Sequence, residues 1–196
     1  MTSLIELLRN KDNNVTAKYI ISEEELITDQ NYLDNIRYLQ CRDKGLEELP
    51  EMKNLESLIC DDNDLIFLPK LDKIKNVWCM ENRITYIRRY NTLRFLICNR
   101  NPIVTIEDQP NLIELHCYSC GFNNLPECPN LEALYCYKNN ISYLPYYPKL
   151  TKLYCGSNNI SNLLPMNKLI RFKVDNNPLP SFNLNYWREQ WKLIKL

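Results

Sequence analysis

The sharpest chemistry in this chain belongs to nine cysteines and a single histidine. Cys117-Tyr-Ser-Cys120 has the CxxC spacing that can hold zinc or run dithiol exchange, and His116 and Glu114 lie beside it. A cysteine–histidine nucleophile needs thiol and imidazole on one face. In an extended strand adjacent side chains point to opposite faces, which separates His116 from Cys117. Seven cysteines, Cys41, Cys60, Cys79, Cys98, Cys117, Cys136 and Cys155, follow one another at intervals of 19 residues. Thiols set along a line do not converge on a metal ion. Parallel Cβ vectors and an odd number argue against a disulfide ladder. The column therefore reads as buried thiols acting as small apolar residues, with Cys128 the expected exposed thiol. The carboxylates form no inward-facing pair for acid–base work. Three scattered glycines leave no phosphate-cradling loop. These residues predict no catalytic group, metal site or cofactor.

The cysteine period is the period of the whole chain. Numbering each unit from its first apolar residue, position 1 begins at Ile36, Leu55 and Ile74 and continues to Leu169. Position 4 runs from Leu39 to Phe172, and position 6 holds the seven cysteines and then Val174. Positions 11 and 14 are apolar in all eight units, from Leu46 and Leu49 to Leu179 and Phe182. Position 9 is asparagine in six units, with Lys44 and Cys120 the exceptions. A fixed period sustained this long marks a repeat array. Positions 4 and 6 alternating with 3, 5 and 7 is strand period, so each unit contributes one short strand to a parallel sheet. No unit buries its apolar face alone, and stability comes from its neighbours. The asparagine is expected to turn the chain and bond loop backbone groups that no strand satisfies. Nineteen residues leave little room for a return helix, and Pro126/Pro129 and Pro145/Pro148 favour an extended, polyproline-like return.

The unit L-x-x-L-x-C-x-x-N-x-[LI]-x-x-L-P-x-x-P-x resembles the leucine-rich repeat family. The Leu-Pro step and short period are similar to the bacterial-effector subclass, and the cysteine at position 6 to repeat proteins of large DNA viruses of amoebae. The resemblance implies an α/β solenoid with a parallel sheet on a concave face that binds partners. The period falls just below the family's usual range, and cysteine stands in place of the third leucine.

Three regions follow: residues 1–35 as an N-terminal cap, 36–182 as eight repeats, and 183–196 as a C-terminal capping helix. Ser3 to Glu6 fits a capping box before a helix with Leu4, Leu7 and Leu8 on one stripe. Beyond it, Ser22–Glu25 could start a second helix or Lys18–Ser22 form a degenerate strand. Leu184, Trp187, Trp191 and Ile194 follow helical spacing, with Asn185 the expected N-cap.

Positions 3, 5 and 7 face outward. There Trp78, Met80, Phe95, Ile97, Tyr118, Tyr135, Tyr137 and Tyr154 fall on five consecutive strands, spanning about 20 Å at the usual strand spacing. A large apolar patch on a protein surface usually marks an interface, and Tyr and Trp are favoured at its energetic centre. Aromatics also suit exposed strands for reasons of β-propensity alone. His116 is read as part of this surface. The function expected is therefore non-enzymatic protein binding on the sheet face. The alternative is a structural protein that self-associates through the same patch, and a cysteine-dependent enzyme comes third. Lys plus Arg equals Asp plus Glu, 24 each, which gives no electrostatic reason for nucleic acid or an anionic membrane as partner. The first residues lack a signal-peptide pattern and no apolar stretch is long enough to span a bilayer, so a cytoplasmic setting is expected, in a host cell if the chain is viral.

Overall fold

The structure is a computed structural model that describes residues 4–9, 14–19 and 29–193. It is a parallel-sheet solenoid. Helix α1 (Leu4–Arg9), strand β1 (Thr16–Tyr19) and helix α2 (Asp29–Asp34) precede the array. Strand β2 (Ile36–Gln40) opens it, followed by β3 (Ser57–Ile59), β4 (Asn76–Trp78), β6 (Phe95–Ile97), β8 (Glu114–His116), β9 (Ala133–Tyr135), β10 (Lys152–Tyr154) and β11 (Arg171–Lys173). All pair in parallel and in register one unit apart, so Leu58 lies beside Leu39 and Val77 beside Leu58. Only β1 runs antiparallel, along the outer edge of β2. Lys18 thus falls in a strand. The Ser22–Glu25 alternative lies outside the described residues.

The fold follows from which columns are buried. Positions 1, 4, 6 and 11 are shielded in the first seven units, the seven cysteines completely. A buried aliphatic side chain contributes roughly 1.5–3 kcal/mol, and a continuous stack of them drives the coil against chain entropy. A sixth interior column stands at position 17, where Met52, Leu71, Tyr90, Gln109, Cys128, Tyr147 and Met166 are all buried. Cys128, expected to be the exposed thiol, belongs to this column and is 1% exposed. The tyrosines fit there because each hydroxyl finds a carbonyl in the preceding unit: Tyr90 donates to Pro69 at 2.8 Å and Tyr147 to Pro126 at 2.9 Å. Gln109 is satisfied likewise. Its Nε2 donates to the carbonyls of Arg88 and Glu107, and its Oε1 accepts from the Tyr90 amide.

The return side is extended, without helix. Two of its segments, β5 (Tyr86–Ile87) and β7 (Thr105–Ile106), form a small parallel sheet of their own. At the far end α3 (Leu184–Lys192) buries Trp187 and Trp191, and Trp191 Nε1 donates to the Leu163 carbonyl at 3.2 Å. Its N-cap is Asn183 rather than Asn185: Asn183 Oδ1 accepts from the Asn185 amide at 2.8 Å. Asn183 has the extended backbone a cap requires, while Asn185 is already within the helix. Ile194 lies outside the described residues. The eighth unit departs from the others, since Phe172 is only partly buried and Phe182 is 53% exposed.

Candidate functional site: the outer face of the sheet

The side chains on the sheet face are held by a backbone that repeats unit by unit. After each strand the chain turns at position 8, where Asp43, Asp62, Glu81, Arg100, Ser119, Lys138, Ser157 and Asn176 all have positive φ. Position 9 locks that turn. Asn82 Nδ2 donates to the carbonyls of Cys60 in the preceding unit and Cys79 in its own, and its Oδ1 accepts from the Leu65 amide. Asn63, Asn101, Asn158 and Asn177 repeat the pattern, and Asn139 varies it by accepting from Cys120 and Gly121. These bonds serve the loop groups that the ladder leaves over, as the sequence predicts.

On the face itself, the position-5 column forms an aromatic stack. His116 lies on Tyr135 with ring centroids 4.0 Å apart, and Tyr135 lies on Tyr154 at 4.8 Å. Lys173 Nζ sits 5.8 Å above the Tyr154 ring. One column over, Tyr118 stacks on Tyr137 at 4.3 Å. In-register parallel strands set equivalent side chains at stacking distance, so the sequence column becomes a ring column. His116 Nε2 is 2.7 Å from Glu114 Oε1, a contact along the same strand and on the same face. The stacked rings, with Trp78, Met80 and Ile97, are half-buried, while Phe95 is exposed. Burial raises the Tyr135 and Tyr137 hydroxyls above their ordinary values, helped by Glu114 at Tyr135 and by Tyr118 at Tyr137.

Not every outward position stays outward. Asp61 and Asn99, both at position 7, are 1% exposed. Each bends along the sheet to accept the position-7 amide of the next unit, Met80 at 2.8 Å for Asp61 and Tyr118 at 3.0 Å for Asn99. Ala133 is buried as well. Period-2 alternation alone cannot foresee a short polar side chain folding back onto backbone.

The thiols are separated from this face. All nine are free and buried. Burial pushes Cys41 and Cys128 up to about 12 and the other column thiols upward too. Cys120 turns toward Cys98 of the preceding unit rather than toward Cys117. Its Sγ donates to the Cys98 carbonyl at 3.4 Å, and hydrogen bonding between the two thiols lowers Cys120 while raising Cys98. Among the described residues, no group of three His, Cys, Asp or Glu side chains could hold a metal ion. No described helix is long and apolar enough to cross a membrane. Arg83 pairs with Asp64 and Arg100 with Glu81, each across adjacent units.

No family model and no curated protein matches the chain. Among solved structures it is similar to YopM from Yersinia enterocolitica WA-314, with a TM-score of 0.54 and 23% identity. The match covers 73% of this chain and 38% of that one, so the chain spans well under half the length of that structure. The likeness is one of fold: with its registered parallel strands, the chain is a solenoid similar in fold to leucine-rich repeat proteins.

Proposed function

We propose that the chain is a non-enzymatic protein-binding module whose partner seats on the sheet face, across Trp78, Met80, Phe95, Ile97, His116, Tyr118, Tyr135, Tyr137 and Tyr154. The observation that carries this reading is the continuity of apolar and aromatic side chains over five adjacent strands, with two columns of stacked rings. Pre-stacked rings have little side-chain freedom left to lose, which lowers the ordering cost a partner must offset. The Leu-Pro steps at Leu49-Pro50, Leu68-Pro69, Leu125-Pro126 and Leu144-Pro145 support placing it with the short bacterial-effector type of repeat. On this reading residues 1–35 and 183–196 close the two ends of a concave array, and the protein works in the cytoplasm, where reduced thiols persist.

The test is a quantitative pull-down from cytosolic extract with the wild type and a Trp78→Asp/Tyr135→Asp variant matched for folding by thermal transition. Proteins captured by the wild type and lost by the variant are the expected result. Identical captures would overturn the reading. Patch-dependent, concentration-dependent dimers in light scattering would replace it with self-association.

A further inference from the structure

The two edges of the large sheet are finished differently. At one, β1 pairs with β2. At the other, β11 is the last strand, and among the described residues nothing pairs with its outer side. Each strand uses its position-3 and position-5 groups toward the preceding unit, as in Cys155 N–H to Lys173 O at 2.9 Å. Strand alternation then turns the Phe172 N–H and C=O outward, where every earlier unit has a neighbour. Beside them a shallow recess opens between β11 and the chain leading into α3, lined by the apolar Ile170, Phe172, Phe182 and Leu184 and the polar Ser181 and Asn183. Ile170 is 73% exposed there. An open edge next to apolar side chains is a template for strand addition.

Charge selects the strand. Among the described residues, five of the eight ion pairs join residues nineteen apart, equivalent positions of adjacent units: Arg42–Asp61, Lys53–Asp34, Lys75–Glu56, Arg83–Asp64 and Arg100–Glu81. The array thus matches opposite charges from unit to unit. The outer edge offers exposed Arg171 and Lys173, with Lys152 on the strand before. Neither cation of β11 has a carboxylate partner among the described residues. We infer that the free edge of β11 binds an extended acidic segment of a partner protein, which adds as a ninth strand. Its acidic side chains lie beside Arg171 and Lys173, and the apolar residue between them covers Phe172. A second copy of this chain fits poorly. Two β11 edges would set Arg171 against Lys173, and β1 offers Lys18 and no acid.

The probe is a synthetic Glu-Val-Glu-Val-Glu peptide, with affinity read by fluorescence anisotropy and backbone pairing by hydrogen exchange at the Phe172 amide. Binding that slows exchange at Phe172, weakens with salt and falls at least about tenfold in Arg171→Glu/Lys173→Glu is expected for an ion-paired added strand. Both side chains are exposed, and an unchanged thermal transition checks that the variant folds. N-methylating the peptide's internal backbone amides, at Glu and Val alike, should abolish binding while leaving its charge intact. Equal binding of the N-methylated peptide, of a Lys-Val-Lys-Val-Lys control, or to the charge variant would overturn the inference. A concentration-dependent dimer protected at Phe172 would overturn it in favour of a second copy.

Discussion

Cys120 Sγ donates to the Cys98 carbonyl at 3.4 Å, in the place where Asn82 Nδ2 reaches Cys60 O at 3.0 Å. The thiol is a weak donor: beyond Cys98 it reaches only the Tyr118 carbonyl, at 3.6 Å, where the amide makes shorter and stronger bonds. It also does not take up the position-11 amide of the preceding unit. That amide, Ile103 N–H, bonds instead to its own Asn101 carbonyl at 2.8 Å. Cys120→Asn restores the missing rung. It should stabilise the fold by about 1 kcal/mol, the usual net value of a buried hydrogen bond. Urea unfolding measures this, and a midpoint that stays or drops would show that the turn at Gly121 has no room for the amide.

Asp61 gives a pH signature. Its Oδ2 is 2.8 Å from Arg42 Nε yet lacks a hydrogen bond of good geometry, and burial raises its carboxyl above the ordinary value despite the Met80 amide and Arg42. A raised folded-state value means the native state holds the proton more tightly than the unfolded chain. That contribution to stability is whole below the unfolded value near 3.8 and is lost as pH rises through the folded one. Asp61→Asn keeps the acceptor for Met80 N–H, as Asn99 does for Tyr118, and removes the buried charge. Its melting temperature relative to wild type should therefore climb between acid and neutral pH. A gap that is flat or narrows over that range would mean the Arg42 ion pair outweighs the burial.

Thiol reactivity follows from the same burial. Native protein should react slowly at all nine cysteines, because the thiolate is the reactive form and burial suppresses it. Cys120, the one thiol drawn downward, should be modified first, and Cys128, pushed up to about 12, should follow well after it. Mass spectrometry of a time course with an alkylating reagent gives the order. Early labelling of Cys128 would place it on the surface after all.

Much of this architecture is legible in residue order because a repeat multiplies every weak signal by eight. Position 4 reads as strand, position 6 as core and position 9 as turn because each recurs through the array, position 9 in six units of eight. Position 17 is illegible in the sequence because its occupants look unlike one another: two Met, a Leu, two Tyr, a Gln and a Cys share only the property of filling one interior slot, which requires the coil to be seen. Gln109 makes the point. As a residue type it reads as surface, and only its three backbone bonds explain how an amide lies fully buried. The face residues were legible as a column but not as stacks, since 4.0 Å between His116 and Tyr135 depends on registration of β8 with β9. The open edge at β11 depends on which strand is last and what covers it, and no single unit's sequence carries that information.

Gln109 in turn yields a stability prediction. Gln109→Leu fills similar volume but strips the acceptor from the Tyr90 amide and the donors from two carbonyls. Orphaned buried backbone groups cost about 1–3 kcal/mol, so the variant should unfold earlier by that amount. Cys128→Val one unit later removes only a weak sulfur contact to the Gln109 amide, which keeps its bond to the Glu127 carbonyl at 3.1 Å, and should cost less. If the two variants cost the same in urea unfolding, packing rather than hydrogen bonding governs the column.

The aromatic face can be divided into rings that hold the fold and rings free to bind. Tyr135 is sandwiched between His116 and Tyr154, whereas Trp78 joins neither stack. An aromatic pair contributes about 0.5–1.5 kcal/mol beyond its burial, so Tyr135→Leu should cost about 1–2 kcal/mol of stability. Trp78→Ser should cost less than Tyr135→Leu while removing a large ring from the proposed contact surface. Its loss should therefore weaken partner capture more than it lowers the melting temperature, and Tyr135→Leu should do both. Measuring the two variants side by side by calorimetry and capture separates the roles. If Trp78→Ser leaves capture intact and Tyr135→Leu changes only stability, the ring columns are strand-stabilising devices, and binding belongs to the edge of β11 or to the return side.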